Sequence, residues 1–539
     1  MTEERTLQGV GVTGGVVVAP LLALRQTAAK VRRAGSPDEE RAALTAACAA
    51  AEADLLALME ASDDDAADIL AFQVALLDDE ELLAPVLTAV AAGSPADAAW
   101  AAALDKEIAD YRGEAAGDDG DDVFSARASD LMDLRDRVLA LLRGEQQTAA
   151  DWDQPRIVVA QDVTPSSFLG LAQAPLAGLA LAAGSRSSHV SLLARARGLP
   201  LVVGLGALPS DLGAEAAVLD ADSGRLILSP SAESLTAADE QARQQLAAAT
   251  AAQALASRPA VTADGTKIAV LINVDHPALL ADLDVRLCDG IGLTRTEFLF
   301  AGGAPTEEVQ LAHYRRIVQW AEGRPVTIRT LDAGGDKPIP GITPEGEANP
   351  FLGLRGIRIG LKEPALLQVQ FRALLQAATD GPLKVMLPMV TLPEEMTQAR
   401  AIMEAVATDL KAEGRDFILP PLGMMVEVPA AALAAAEFDA DFYSIGTNDL
   451  IQYATACARD NEAVAALARA DHPGVLSLIR ATLAAGRARG VEVSLCGDMA
   501  SQPDDLPLLL DAGLRSLSVA PAAVAGVKAA IAGYGRSSP

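Results

Sequence analysis

The chain has 539 residues, half of them hydrophobic and only 3% aromatic, and a formal net charge of −30. A single core does not grow to that size, so two or more domains are expected. A chain this acidic is repelled by nucleic acid and by anionic membrane surfaces, which excludes both as partners, whereas a basic protein would be attracted to it.

No apolar run reaches the roughly 18 residues of a membrane span, and the opening MTEERTLQGVGV lacks the basic and apolar regions of a secretory signal, so no membrane insertion is expected. Cys48, Cys288, Cys457 and Cys496 are scattered without paired spacing, and His189, His276, His313 and His472 do not cluster with them. Such cysteines read as cytosolic thiols, not as a disulfide frame or a zinc site, and a cytoplasmic location follows.

Residues 7–24 are expected to form a glycine-punctuated strand pair. From about 25 to 145 the pattern is Ala/Leu-rich and helical, broken by acidic turns at 62–68, 78–81 and 117–122. Residues 21–150 hold 27 acidic and 11 basic side chains, a net of −16, so more than half of the chain's charge sits in a quarter of its length. Each run alone is a solvated helix face; the asymmetry over the whole stretch also suits a basic docking partner. Residues 156–230 return to short apolar strands (RIVVA, GLALA, LVVGL, AAVLD, RLILS). Residues 231–258 form a helical linker that Pro259 ends.

From 260 onward, strands and helices alternate. The strands are predicted at 268–274, 290–295, 326–332, 384–390, 422–428, 441–446, 491–497 and 516–520, and eight in some 280 residues predict a (β/α)₈ barrel. The active site of that fold lies at the C-terminal ends of the strands. There the sequence puts Asn273, Arg295, Arg329, Glu427, Asn448, Asp449 and Cys496, with Arg355 and Arg358 on a following segment. Guanidinium groups match phosphate and carboxylate oxygens as two-pronged donors, so several on one rim imply a small polyanionic substrate. Two carboxylates suit Mg²⁺, which keeps open positions for water and substrate. A rim thiol can move a proton or attack as a nucleophile. Each residue alone has a plainer reading, such as a salt bridge, a cap or a buried apolar cysteine; the functional reading rests on their convergence.

His189 lies in Gly184-Ser185-Arg186-Ser187-Ser188-His189, after a strand and before a helical pattern. Helix N-terminal amides favour an anion, Ser187 and Ser188 can cap the helix, and a histidine so placed can carry a phosphoryl group.

The segments GSRSSHVSLLARARGLP, GIGLTRTEFLF, IRTLDAGGDK, NPFLGLRGIRI, GMMVEVP, FYSIGTNDLIQY and CGDMA resemble, in order and over nearly the whole chain, the family that includes enzyme I of the phosphoenolpyruvate:sugar phosphotransferase system. FQVALLDDEEL (72–82) and RASDLMDLRDRVLALLRG (127–144) are similar to that family's helical docking subdomain. The resemblance implies an α/β multidomain chain. A swivelling α/β phosphohistidine domain (1–22 and 148–230) carries an inserted helical subdomain (23–147) that docks the phosphocarrier HPr. A linker (231–259) leads to a phosphoenolpyruvate-binding and dimerising TIM-like barrel (260–539). It implies that Arg295 and Arg329 grip the phosphate of phosphoenolpyruvate, with Lys337 and Arg355 nearby. Asn448 and Arg459 would contact substrate, Glu427 and Asp449 would bind Mg²⁺, and Cys496 would protonate the enolate carbon to give pyruvate. His189 would take the phosphoryl group and hand it to a histidine of HPr. Ser185 and Ser187 depart from the family's Gly and Thr, and Gln73 stands where the family often has a histidine. The alternatives are an enzyme like pyruvate phosphate dikinase or phosphoenolpyruvate synthase, against which the absence of a glycine-rich nucleotide loop speaks, and a non-catalytic phosphorelay regulator.

Overall fold

The structure, a computed structural model, describes residues 4–24, 34–60, 70, 73–77, 79–115, 121–144, 152–185, 188–209, 216–274, 276–281, 283–300, 303–335, 339, 341–344, 346–458 and 464–535. Two compact units divide the chain, Met1–Ala247 and Ala248–Pro539.

The first unit is built on an eight-stranded sheet: β1 (Arg5–Gln8), β2 (Val10–Gly11), β3 (Val16–Ala23), β4 (Arg156–Ala160), β5 (Leu176–Leu181), β6 (Leu201–Val203), β7 (Ala216–Asp220) and β8 (Arg225–Leu228), in the order β1-β8-β7-β3-β4-β5-β6-β2. The expected pair over 7–24 is thus three short strands. β3 to β6 run parallel at the centre, with antiparallel strands on either side. Central parallel strands are covered on both faces, which is why β4 is apolar from Ile157 to Ala160. Ile157 and Val159 face one core, and Val158 and Ala160 face the other, as the two-residue period of a strand requires.

Between β3 and β4 the chain forms the helices Pro37–Glu60, Glu80–Ala91, Ala96–Ala115 and Asp121–Leu142. They pack around the fully buried Trp100, with Leu44, Leu55, Val86, Leu104, Leu134 and Val138. Most of the expected acidic turns at 62–68 and 117–122 lies outside the described residues. Among these, Pro37–Met59 is the one helix long and apolar enough to cross a membrane by composition. Its Leu44, Ala47, Ala51 and Leu55 recur every three or four residues and form a stripe buried in the protein core, while most of the rest of the helix is exposed. The segment expected as a helical linker is the helix Ala232–Ala256, which runs across the boundary of the two units.

The second unit is a closed barrel of eight parallel strands: β10 (Lys267–Val274), β11 (Ile291–Thr294), β12 (Val326–Arg329), β13 (Leu383–Leu387), β14 (Leu422–Val426), β15 (Phe442–Gly446), β16 (Glu492–Cys496) and β17 (Ser516–Val519). Neighbours pair in that order, and β17 pairs with β10 to close the ring. The two-residue β9 (Ala260–Val261) adds antiparallel to β10. All eight predicted barrel strands are present, but several stop short of their predicted ends. After β12 the amides leave the ladder for side chains: Leu331 N donates to Gln370 Oε1 (3.0 Å) and Asp332 N to Glu297 Oε1 (2.9 Å). The loop stays buried past the strand, although it is no longer β.

Candidate active site

Six strand ends bring the predicted rim together. Asn273 is in β10, Arg295 follows β11, and Arg329 closes β12. Glu427 follows β14, Asn448 and Asp449 open the helix Thr447–Thr455 after β15, and Cys496 closes β16. Since the strands are parallel, these residues share one end of the barrel. Lys337 and Arg459 lie outside the described residues.

At the centre is a buried charge network. Arg329, 4% exposed, meets Glu297 (Nη2–Oε1 3.0 Å) and Asp332 (Nη1–Oδ2 2.9 Å). Arg355 is fully buried, and its guanidinium bridges two carboxylates. Nε and Nη2 donate to Asp332 (3.2 Å each), while Nη1 and Nη2 donate to Asp449 (3.0 Å each). Nη1 also donates to the Tyr453 hydroxyl (3.2 Å). Arg355 is therefore a strut between carboxylates, not an open cation at the barrel mouth. Buried ions persist only when paired and hydrogen-bonded in this way.

Glu427 is 1% exposed and accepts the Met389 amide at 2.6 Å. Burial, reinforced by Asp449 and Asp332 and opposed by Arg329 and Arg355, pushes its pKa up to about 8. Gly446 leaves room for this carboxylate, because a Cβ there would lie 3.0 Å from Glu427 Oε2. Among the described residues, three guanidinium groups (Arg295, Arg329, Arg355) stand with four carboxylates (Glu297, Asp332, Glu427, Asp449), and the charges balance while Glu427 keeps its proton, as its raised pKa favours. All the anionic donors are oxygens. That donor chemistry fits a hard divalent cation that displaces the Glu427 proton.

Cys496 is 2% exposed and packs inside the barrel with Leu293, Met386, Met425 and Phe442. Burial raises the pKa of the thiol, and the Ser444 hydroxyl, donating to Sγ at 3.5 Å, works against that rise. Gly497 follows at φ +106°, where a Cβ would also collide with the Thr447 hydroxyl. Asn448 Oδ1 accepts the Asp498 amide at 2.9 Å, tying the loops after β15 and β16 together.

In the first unit, His189 is the first residue of the helix His189–Ala196. Ser188 caps that helix by accepting the Ser191 amide, as expected of it, whereas Ser187 and Arg186 are outside the described residues. His472 caps the helix Pro473–Arg489, its Nδ1 accepting the Gly474 amide at 3.0 Å. Gln73 is buried and donates to Asp133 (3.0 Å) within the unit.

Sequence reasoning missed Glu297, Asp332, Tyr453 and Ser444. All four lie in segments already singled out: Glu297 two residues beyond Arg295, Asp332 three beyond Arg329, and Ser444 and Tyr453 within FYSIGTNDLIQY. Only the acidic pair stood out by residue type beside a predicted arginine.

Known proteins match nearly the whole chain. Residues 249–535 match the phosphoenolpyruvate-binding domain of phosphoenolpyruvate-utilising enzymes, 152–224 their mobile domain, and 8–119 their N-terminal domain. The phosphoenolpyruvate-protein phosphotransferase of Geobacillus stearothermophilus is 35% identical over 98% of this chain and 93% of its own length. That of Haloferax volcanii is 38% identical over 98% and 94%. The chain belongs to the phosphoenolpyruvate-protein phosphotransferase family. A multiphosphoryl transfer protein of Xanthomonas campestris is 40% identical over 77% of this chain and half of its own length. The matched phosphoenolpyruvate-binding domain spans the whole barrel.

Proposed function

We propose that this chain moves the phosphoryl group of phosphoenolpyruvate onto His189, releases pyruvate, and passes the group to a histidine of a small HPr-like phosphocarrier at the head of sugar uptake. The observation that carries this reading is the meeting of Arg295, Arg329, Glu427, Asp449 and Cys496 at one barrel rim, in a chain that matches phosphoenolpyruvate-protein phosphotransferases almost end to end.

Arg295 and Arg329 hold the phosphate, helped by Lys337, Asn448 and Arg459. Arg355 acts through the carboxylates it braces. Glu427 and Asp449 hold Mg²⁺, which when bound offsets the charge of the phosphate and lowers the barrier to phosphoryl transfer. The Nε2 lone pair of His189 attacks phosphorus, and the P–O bond breaks with its electron pair going to the enolate. Cys496 then gives its proton to the enolate carbon. A thiol whose pKa is raised by burial keeps that proton until a strong carbon base needs it, and the Ser444 hydroxyl stabilises the thiolate left behind.

The unit that carries His189 swings between the barrel and the carrier, using the helix Ala232–Ala256 as its connection. The acidic helices between β3 and β4 attract a basic carrier. The protein works in the cytoplasm as a homodimer through its barrel, where Leu352, Leu433 and Leu467 expose apolar surface. The test is pyruvate release from phosphoenolpyruvate and Mg²⁺ without nucleotide. One equivalent per chain should appear as a burst, with turnover only when a phosphocarrier is added. The absence of a burst, or a requirement for ATP, would contradict the reading.

A further inference from the structure

We infer that Asp130 is the positioning residue for His189: its buried carboxylate accepts the Nδ1 proton of the imidazole and so presents Nε2 for phosphorylation. This rests on the proposed role of His189 as phosphoryl carrier.

The two residues come from different parts of the first unit. Asp130 is in the helix Asp121–Leu142, and His189 opens the helix His189–Ala196. Asp130 Oδ1 lies 3.5 Å from His189 Nδ1, and Asp130 is only 4% exposed. Both atoms are buried, and neither has a hydrogen-bond partner elsewhere among the described residues. A buried polar atom left unpaired is expensive. Here the two unpaired atoms face each other, and they satisfy each other only if Nδ1 carries the proton. That tautomer leaves the lone pair on Nε2. The His189 side chain is 25% exposed, and essentially none of that exposure is at Nδ1. The reachable edge of the ring is thus the one that bears Nε2.

Both partners are held in place independently. One turn along the helix from Asp130, Asp133 accepts from Gln73 Nε2 (3.0 Å), Thr164 Oγ1 (2.9 Å), Ser166 N (3.0 Å) and Ser166 Oγ (2.6 Å). Arg137 Nη2 donates to the same Ser166 hydroxyl at 2.6 Å. Those bonds fix the register of the helix against the α/β part of the unit. On the other side, the Ser188 cap and the Ser191 hydroxyl, which donates to the Ser185 carbonyl at 2.6 Å, fix the turn that carries His189. One helix therefore delivers two carboxylates: Asp133 is saturated by structural bonds, and Asp130 is directed at the histidine.

The chemistry uses this pairing in both directions. When the Nε2–P bond forms, the ring holds a proton on Nδ1 and a phosphoryl group on Nε2 and becomes cationic; the Asp130 carboxylate offsets that charge. When the N–P bond breaks in transfer to the next acceptor, its electron pair returns to Nε2 and the ring departs as neutral imidazole, because Nδ1 has kept its proton. Without that proton the leaving group would be imidazolate, which is far poorer.

The chain has only four histidines, so long-range ¹H–¹⁵N spectra of the full-length, histidine-labelled protein resolve the His189 tautomer directly. The wild type should hold the Nδ1–H form. Asp130→Asn, whose amide can donate to Nδ1, should move it to the Nε2–H form, and single-turnover labelling should slow by about 100-fold or more, by analogy with orienting carboxylates of catalytic triads. Asp130→Glu should recover part of the tautomer and of the rate. A wild-type ring in the Nε2–H form, or an Asp130→Asn protein with unchanged tautomer and rate, overturns the inference, and the wild-type spectrum decides even if a variant misfolds. Failure of the wild type to label from phosphoenolpyruvate, with the Nδ1–H tautomer intact, would instead defeat the carrier role and leave the positioning geometry standing.

Discussion

Replacing Arg355 by Met removes the cation that joins Asp332 to Asp449 but keeps most of the side chain's volume. Arg355 is fully buried and makes four hydrogen bonds of 3.0–3.2 Å to the two carboxylates. Removing one partner from a buried ion pair costs about 3–5 kcal/mol, because the remaining charge is left without compensation. The size should depend on pH. Glu427 has its pKa raised to about 8 in the folded protein, and Arg355 is one of two cations restraining that rise. A carboxylic acid whose folded pKa lies above its unfolded value lowers stability as pH climbs from the unfolded value through the folded one. Loss of Arg355 pushes the folded value higher, so the variant should lose more stability at pH 8 than at pH 5. The two units need not unfold together. Urea titration should therefore be read by hydrogen exchange in peptides from β12 and β14, which report the barrel. A loss below about 1 kcal/mol, or one equal at the two pH values, would refute the view that Arg355 is a strut among ionised carboxylates.

Other expectations follow from the same geometry. Mg²⁺ must displace the proton of Glu427, so its affinity should rise about tenfold per pH unit below about 8 and level off above it; isothermal titration should show proton release on binding, and a pH-independent affinity would contradict the assignment. Cys496→Ala, which deletes only the sulfur, should slow pyruvate formation by about 100- to 10,000-fold, measured with a coupled pyruvate assay; near-normal release would remove the thiol from the mechanism. Gly497→Ala meets both a left-handed backbone and the Thr447 hydroxyl, so it should destabilise the barrel by about 1–3 kcal/mol; unchanged thermal unfolding would show that this turn relaxes freely.

The barrel could be read from sequence because each strand is a short apolar run set off by helical periodicity, and because parallel strands send their C-terminal residues to one rim whatever the details of packing. The ends of those strands could not. The stretch Thr330-Leu331-Asp332 after Arg329 stays buried while its amides at Leu331 and Asp332 bond to Gln370 and Glu297, so the chain remains in the interior where the ladder stops. The role of Arg355 was hidden for a similar reason. A guanidinium near a phosphate site looks like a substrate ligand until its partners are seen, and Asp449 is 94 residues away in the chain. The helix before β4 shows the limit most clearly. RASDLMDLRDRVLALLRG resembles a docking surface and spaces its charged residues as a solvated helix face would, yet Asp130 and Asp133 within it are buried and turned toward the α/β part of the unit. No periodicity distinguishes a carboxylate aimed at a histidine from one aimed at water.

The most direct test of the central claim is to incubate the full chain with phosphoenolpyruvate and Mg²⁺, with no nucleotide present, and to map the product by intact mass and peptide sequencing under alkaline conditions. The account predicts one acid-labile phosphoryl group per chain, on His189, and none on a folded His189→Ala variant. An unlabelled wild type, or equal labelling of the variant, would contradict it.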